Sequence, residues 1–321
     1  MKALYRETYC GPEGLSVKEI PAPVPGDEDI LLQVKAFTIN RTDLGVLTGK
    51  PYVMRLFCGL LKPHYAVTGT DFAGVVTATG SRVTGIGKGD LIWGFHDNAC
   101  ASHAEFMLVK PDMAYSKLPQ GTDLVKIVAC AEGAHYARNF IRKVKLSKGM
   151  SVFVNGASGA IGSATVQLLR SMHSDLRIVA STRSDNLSAT LERGANRVID
   201  YEKENLTLIT ESFDVVFDSV GKSCFSACKS ILKPGGIYIS SELGPYWQNL
   251  YLPLFTKIRG GRKVKFPFPV NIKQSLNLLQ NLFLERKFNP LIDRVISIEE
   301  APENFAYVNS GQKLGNVVVA L

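Results

Sequence analysis

The sequence predicts an α/β chain in which a doubly wound parallel sheet is inserted into a β-rich domain, and three observations carry that prediction. The stretch "VFVNGASGAIG" (residues 152–162) runs from an apolar triplet into a cluster of glycines, as a strand does when it turns directly into a helix. It stands near the middle of a chain of 321 residues, which is too long for one ordinary core and fits two domains. From about residue 125 short apolar runs alternate with amphipathic ones, the mark of parallel strands covered by helices.

The elements follow in order. "PAPVPGDED" (21–29) is a proline-rich loop, and "ILLQVKAFTI" (30–39) reads as a strand. "DFAGVVTATG" (71–80) and "GDLIWGF" (89–95) are further strands bounded by glycine turns. "SVFVNG" (151–156) is a short buried strand, followed by the amphipathic helix "AIGSATVQLLRSMH" (160–173). "LRIVAST" (176–182) is the next strand, with the helix "SDNLSATLERGA" closing on Gly194. "NRVID", "FDVVFDSVG" and "GGIYISS" complete the set of strands. A last helix, "NIKQSLNLLQNLFLERK" (271–287), precedes a β-containing tail ending "GNVVVAL". The expected domains are therefore residues 1–126 with 272–321, and residues 127–271 between them. The glycines open the second domain, which explains their mid-chain position.

Composition narrows the class. Apolar residues at 45% and charged residues at 21% are those of a soluble globular protein. No apolar run is long enough to span a membrane. The opening "MKALYRETYCGPEG" carries Lys2 and Arg6 with no apolar core behind them, so it does not read as a secretory signal, and a cytoplasmic protein is expected. The formal charge is +8, and its densest run, "KIRGGRKVK" (257–265), reads as a solvated loop leading into a strand rather than an anion groove. Neither nucleic acid nor membrane is an expected partner. The six cysteines are scattered without a C-x-x-C, and Cys224 and Cys228 stand one helical turn apart, so free thiols are expected.

Between a strand and a helix, these glycines match a dinucleotide-binding fingerprint. Gly156 permits the tight turn, Gly159 lets backbone amides approach a pyrophosphate, and Gly162 lets the helix pack close to the strand. Ala157, Ser158, Ala160 and Ile161 complete the loop and the first helical turn. A short-chain reductase would place such a loop at its N-terminus beside a Tyr-x-x-x-Lys pair, and no tyrosine here has lysine four residues later. The next strand ends "ASTRSDN", with no acid at its tip to bind a ribose 2′-hydroxyl. Ser181 and Arg183 suit a 2′-phosphate instead, and Tyr201 at the end of the third strand adds a hydroxyl. Asp185 either turns back to the ribose or caps the following helix, and its place before a helical pattern favours the cap. NADPH is the expected cofactor.

With these residues in place the chain resembles the medium-chain dehydrogenase/reductase superfamily over nearly its whole length, and most of all its zinc-independent, quinone-oxidoreductase-like branch. The resemblance rests on the opening through "AFTINRTD", then "GTDFAGVVTATG", "GASGAIGSATVQL", "GANRVIDY", "FDVVFDSVGK", "LKPGGIYISS" and "GNVVVAL", in that order. It implies a Rossmann NADPH-binding domain inserted in a GroES-like catalytic domain. Zinc-dependent members hold a catalytic metal through positions that match Asn40, Thr70 and Glu132 here, and an amide, a hydroxyl and one carboxylate make a poor zinc site. The four-cysteine structural lobe is absent, since Cys100 stands alone, and the five histidines lack ligand spacing. No metal is expected.

Without zinc to polarise an alcohol, hydride delivery to a quinone or an α,β-unsaturated carbonyl remains, and an NADPH-dependent reductase of those acceptors is the leading expectation. By resemblance, Asn40 and Asp43 line the cleft floor, although Asp43 equally suits a structural hydrogen-bonding role. Tyr52, in the long segment "KPYVMRLFCGLLKPHYAV", is either a cleft tyrosine or a lid or core aromatic. His135 either faces the nicotinamide or packs in a helix. The resemblance also carries Asp218, Val220, Ser241 and Asn316 as cofactor contacts. The rival readings are an enoyl-thioester reductase and a low-turnover NADPH-binding sensor or structural protein. A homodimer is expected by analogy alone.

Overall fold

The computed structural model describes residues 1–205 and 209–321. They form two compact units, Met1–Glu132 with Ile272–Asn281 and Ile292–Leu321, and Gly133–Asn271 with Leu282–Leu291.

The first unit opens with the antiparallel pair β1 (Lys2–Tyr5) and β2 (Ser16–Glu19). Strand β3 (Ile30–Ile39) follows the proline-rich loop and buries every second side chain over its first half, then all of them from Ala36 on. That change marks a strand whose outer half has one wet face and whose inner half has none. Helix α1 (Arg41–Thr48) starts directly after it, and the short α2 (Arg55–Cys58) lies in the long segment that follows. Strands β4 (Asp71–Thr79), β5 (Leu91–Phe95), β6 (Phe106–Val109) and β7 (Ala114–Leu118) lead to α3 (Leu124–Val128), whose cap is the Asp123 carboxylate accepting from the Lys126 amide at 3.0 Å.

In the second unit, α4 (Glu132–Arg142, its first residue still in the first unit) is followed by β8 (Ser151–Asn155), α5 (Ala160–Met172), β9 (Arg177–Thr182), α6 (Leu187–Glu192) and β10 (Arg197–Asp200). Then come β11 (Phe213–Asp218), α7 (Phe225–Cys228), β12 (Leu232–Ser240), α8 (Gln248–Arg259) and β13 (Lys263–Lys265). The six strands pair in parallel in the order β10-β9-β8-β11-β12-β13. The order reverses at β8, the strand order of a doubly wound Rossmann sheet. Phe153, Val179, Val216 and Tyr238 form the centre of its core.

Helix α9 (Ile272–Leu284), β14 (Ile292–Ile296), α10 (Ala301–Ser310) and β15 (Asn316–Ala320) complete the chain. β15 pairs antiparallel with β3 and parallel with β14, giving a seven-stranded sheet ordered β14-β15-β3-β4-β5-β7, with β6 beside β3. Phe37, Phe72, Phe305 and Val317 fill this GroES-like core. The molecule is thus α/β, with a doubly wound parallel sheet encoded between the two parts of a β-rich domain.

Two helices depart from the sequence reading. The chain between β12 and β13 is not only a solvated loop: Lys257 and Arg259 belong to the last turn of α8, and Gly260 and Gly261 follow it. Pro253 lies inside α8, where it has no amide to donate. The β-containing tail also holds a helix the sequence reading did not name, α10, with Pro302 in its first turn, where proline suits a helix. Its Ala301, Phe305 and Val308 fall on one face and are buried.

Candidate active site

The glycine loop of the second unit is built by close approach. Gly156 has φ +84°, and a Cβ there would lie 1.8 Å from Val220 Cγ2. At Gly162 a Cβ would lie 2.1 Å from the Gly156 carbonyl oxygen, so helix α5 reaches the turn only because both residues lack side chains. Gly159 differs, since a Cβ there would meet nothing nearer than the Gly156 oxygen at 3.6 Å. The fold leaves that space open, and a pyrophosphate approaching the helix N-terminus would use it.

Beneath the loop lies a buried polar lattice. Asn155 Nδ2 donates to Asp218 Oδ1 at 3.0 Å, and the Tyr238 hydroxyl donates to Asp218 Oδ2 at 2.8 Å. The Val220 amide also reaches Asp218 Oδ1, at 3.4 Å. Ser181 is fully buried: its hydroxyl donates to Asn155 Oδ1 at 2.7 Å and accepts from the Gly156 amide at 3.1 Å. Its hydroxyl braces the turn, whereas the sequence reading had it at a 2′-phosphate. Sequence reasoning missed Thr182, whose hydroxyl shares a 2.6 Å hydrogen bond with Ser158, and no periodicity signals such a pair. The Ser241 hydroxyl is buried without a hydrogen-bond partner among the described residues, the state of a group that a ligand would satisfy.

At the tip of β9 the Arg183 amide donates to Ser158 Oγ at 3.2 Å, and its guanidinium pairs with Asp185 at 3.2 Å. Asp185 sits within a 3-10 turn, Ser184–Asn186, and the residue capping α6 is Asn186. Asp185 is therefore the partner of Arg183 and not the cap predicted from the sequence. Tyr201 is 42% exposed, and its amide donates to the Thr182 carbonyl at 3.1 Å, which sets it beside this tip. Partial burial raises its phenol, and the Arg183 charge opposes that rise. Ala157, Ser158, Ala160 and Ile161 stand in the loop and first turn of α5. Asn316 belongs to the first unit, buried at the head of β15.

The first unit holds a second polar cluster around the start of α1. The Asp43 carboxyl, fully buried, accepts from the Asn40 amide at 2.9 Å and from the Thr70 hydroxyl at 3.0 Å. His103 Nε2 lies 3.6 Å from Asp43 and donates to the Thr38 carbonyl at 3.1 Å, while its Nδ1 accepts from Thr68 at 2.9 Å. Burial lowers the His103 imidazole to about 3, so it is neutral and forms no ion pair. Asn40 is held at both ends: Lys313 Nζ donates to its carbonyl oxygen, and its amide donates to Thr38 Oγ1 at 2.6 Å. Thr38 in turn donates its hydroxyl and its amide to Asp71. The second Asn40 side-chain N–H has no protein partner among the described residues.

Three buried carboxyls thus share one ammonium. Burial, then the charges of Glu132 and Asp71, push Asp43 well above the usual carboxylate range. Burial raises Asp71 to about 6 against the Thr38 hydrogen bonds. Glu132 accepts from the Thr42 hydroxyl at 2.8 Å and is pushed up to about 8 by burial and Asp71, with Lys313 opposing. Its second oxygen is buried with no hydrogen-bond partner among the described residues. Lys313 is brought down to about 8 by burial, with Glu132 and Asp43 the leading charges holding it up. The sequence reading missed Lys313 and Asp71, because their roles depend on the return of the C-terminal strand beside β3.

Tyr52 is 68% exposed in a 3-10 turn, Tyr52–Met54, with the Arg55 guanidinium over its ring at 5.2 Å, so it is not a core aromatic. His135 is buried on α4 and receives the Asn139 side-chain amide at 3.2 Å. Burial lowers it to about 4, with Arg138 and Arg142 adding to the shift.

Residues 26–138 match the family model for the alcohol dehydrogenase GroES-like domain, and residues 193–319 match that for zinc-binding dehydrogenase. A 2-methylene-furan-3-one reductase of Solanum lycopersicum is 26% identical over 332 residues, covering 99% of this chain and 79% of that protein. A chloroplastic NADPH-dependent alkenal/one oxidoreductase of Arabidopsis thaliana is 28% identical over 244 residues, covering 74% of this chain and 61% of its own length. The structure of the quinone oxidoreductase from Coxiella burnetii aligns with a TM-score of 0.86 at 22% identity, covering 100% of this chain and 99% of that one. The zinc in the second model's description does not fit the residues here. Thr70 spends its proton on Asp43, Asn40 turns its oxygen to an ammonium, and that ammonium would repel a divalent ion. Both domain models, in that order, and reductases similar along its length place the chain in the medium-chain dehydrogenase/reductase superfamily, among its quinone-oxidoreductase-like members.

Proposed function

We propose that this protein is an NADPH-dependent, zinc-independent reductase of quinones or α,β-unsaturated carbonyls. The observation that carries the reading is Lys313, a cation seated on the Asn40 amide among the positions that bind zinc in metal-dependent relatives. Its ammonium and the remaining Asn40 N–H supply the electrophile that a metal would otherwise provide. A bound NADPH supplies the hydride. The open space at Gly159, the unsatisfied Ser241 hydroxyl and the Arg183 guanidinium at the β9 tip are the features that suit it. The names of the quinone and enone reductases among its relatives support the same acceptor class.

When hydride reaches the β-carbon of an enone, the C=C pair becomes a new bond to the carbonyl carbon, the C=O pair moves onto oxygen, and a proton from solvent then adds to the α-carbon to complete the reduction. Lys313 and Asn40 stabilise the developing negative charge. Glu132, held protonated by burial and by Asp71, leaves the ammonium less neutralised than an ionised partner would. Asp43 touches no acceptor in this scheme, since its buried carboxyl positions Asn40 and Thr70. Tyr52 is assigned to the exposed wall of the acceptor site. Unpaired cysteines, all six of them, suit a reducing compartment such as the cytoplasm.

The test is an NADPH-oxidation screen over quinones, enals, enones and enoyl thioesters, run beside NADP⁺ with simple alcohols. Turnover of a conjugated acceptor is expected, and oxidation of alcohols alone would overturn the reading. Lys313→Met should lower kcat about 100-fold, the effect of losing one good oxyanion donor, with NADPH affinity kept. Arg183→Ala should weaken NADPH far more than NADH, and equal affinity of the unaltered protein for both nucleotides would sink the Arg183 assignment.

A further inference from the structure

Helix α7 is a single turn, Phe225–Cys228, capped by Cys224, so two of the six free thiols stand within five residues. The Cys228 amide donates to the Cys224 carbonyl at 3.0 Å, and the two residues lie one above the other on the same side of the turn. Each sulfur has a serine beside it. Cys224 Sγ lies 3.0 Å from Ser226 Oγ, and Cys228 Sγ lies 3.2 Å from Ser223 Oγ. The Gln248 side-chain amide also faces the Cys224 sulfur, and its Nε2 is buried with no hydrogen-bond partner among the described residues. That donor suits a charged sulfur, or an oxygen added to it.

The pair is asymmetric. Cys224 is half-exposed and Cys228 is buried. Burial acts to raise the Cys224 thiol, yet the hydrogen bonds to its sulfur, led by that of Ser226, bring it below its ordinary value. Burial pushes Cys228 up to about 11 against its Ser223 hydrogen bond, and the charges of Asp218 and Cys224 add to the rise. Cys10, Cys58, Cys100 and Cys130 are all raised, with burial the largest cause. Of the six, Cys224 is thus the one that offers an accessible thiolate, and a second thiol stands one turn away.

We propose that Cys224 and Cys228 are a peroxide-sensitive dithiol, in which Cys224 is oxidised and Cys228 resolves it as a disulfide. The Cys224 thiolate attacks one oxygen of hydrogen peroxide, the O–O bond breaks, and a sulfenic acid forms as hydroxide leaves. The Cys228 sulfur then attacks that of Cys224, the S–O bond breaks, and the oxygen leaves as water with the Cys228 proton. Two electrons pass from the sulfurs to the peroxide. Closing the bond must distort α7, because β-carbons four residues apart on a helix lie about 5–6 Å apart and a disulfide holds them at about 3.5–4.5 Å. The strain falls on the loop just before the helix. A Cβ on Gly156 would lie 1.8 Å from Val220 Cγ2, and the Ser219 hydroxyl donates to the Asn155 carbonyl at 2.6 Å. A distorted α7 therefore moves the wall of the glycine turn and weakens nucleotide binding. That consequence rests on the NADPH reading above, whereas the bond itself does not.

The full chain, reduced and then treated with hydrogen peroxide, is alkylated, cut with trypsin and analysed by mass spectrometry. Cleavage after Lys222 and Lys229 gives one peptide, SCFSACK, that holds both sulfurs. It should lose two hydrogens roughly tenfold faster than any other cysteine is oxidised, and regain them with dithiothreitol. Cys228→Ser should stop at the sulfenic acid, which dimedone captures, and Cys224→Ser should leave Cys228 unoxidised. NADPH affinity of the wild type should fall about tenfold on oxidation and recover on reduction, while Cys224→Ser keeps its affinity in peroxide. A peptide that keeps its hydrogens, or loses them no sooner than Cys10 or Cys58 reacts, overturns the proposal. A bond that leaves NADPH affinity unchanged overturns its coupling to the glycine turn. Reduced protein that binds no NADPH would instead sink the cofactor reading, with the dithiol still decided by the mass of the peptide.

Discussion

A neutral imidazole is what the surroundings of His135 demand. The Asn139 side-chain amide points its N–H at the ring from 3.2 Å, and the charges of Arg138 and Arg142 disfavour a second proton. Burial is the largest cause of the lowered value, about 4 against an ordinary 6.5. The sign follows from the unfolded chain, which takes up its proton first as pH falls. Stability from this group is therefore complete above pH 6.5 and is lost between there and about 4, to a total of roughly 3 kcal/mol. Comparing urea midpoints of wild type and His135→Gln from neutral to acid pH checks this. The wild type should fall more steeply below pH 6.5, and parallel curves would remove the argument. The same neutrality gives His135 no charge to contribute at a nicotinamide. At this scale the sequence was least informative. It pointed to Asn40, Asp43 and Arg183 by motif, but Ser181 reads identically whether its hydroxyl faces a phosphate or, as here, props the glycine turn. Lys313 lies 273 residues from Asn40, so no local pattern could connect them.

Strand, turn and helix around the glycines form the element whose sequence and geometry agree most closely, and they separate two kinds of glycine. Gly162→Ala would push a methyl to 2.1 Å from the Gly156 carbonyl, so it should cost about 1–3 kcal/mol of stability and lower the melting temperature. Gly159→Ala meets only ordinary contact at 3.6 Å and should melt as wild type does, yet bind NADPH at least tenfold more weakly because the added methyl takes the space a phosphate needs. Calorimetry for folding and nucleotide titration for binding distinguish them. If Gly159→Ala keeps full affinity, the open space is not the pyrophosphate site. Legibility tracked how far each element's own pattern decides its state. β3, β8 and α5 were readable because apolar period and bounding glycines act locally. α8 was not, because an apolar face turned outward breaks the rule that periodicity reports a core.

At the scale of the whole molecule, the proposed zinc-independence rests on how charge is disposed near Asn40. Asp43, Asp71 and Glu132 are buried with raised proton affinity, so protons carry much of their neutralisation and Lys313 carries more. Bringing zinc there would require expelling those protons and seating a divalent ion beside an ammonium, two costs that an amide and a hydroxyl cannot repay. Nucleotide asks for none of this, because the space at Gly159 and the guanidinium of Arg183 already stand in the folded second unit. The two additives should therefore behave oppositely in thermal melts of the full chain. Chelator or added zinc should leave both the melting temperature and the turnover of a conjugated acceptor unchanged. NADPH at a hundredfold excess over its Kd should stabilise the native state by about 2.7 kcal/mol, as binding to the folded form alone requires. Elemental analysis completes the test: one tightly held zinc per chain, with turnover lost on chelation, would mean that Lys313 moves aside to admit a metal, and the metal-free reading would fall with it.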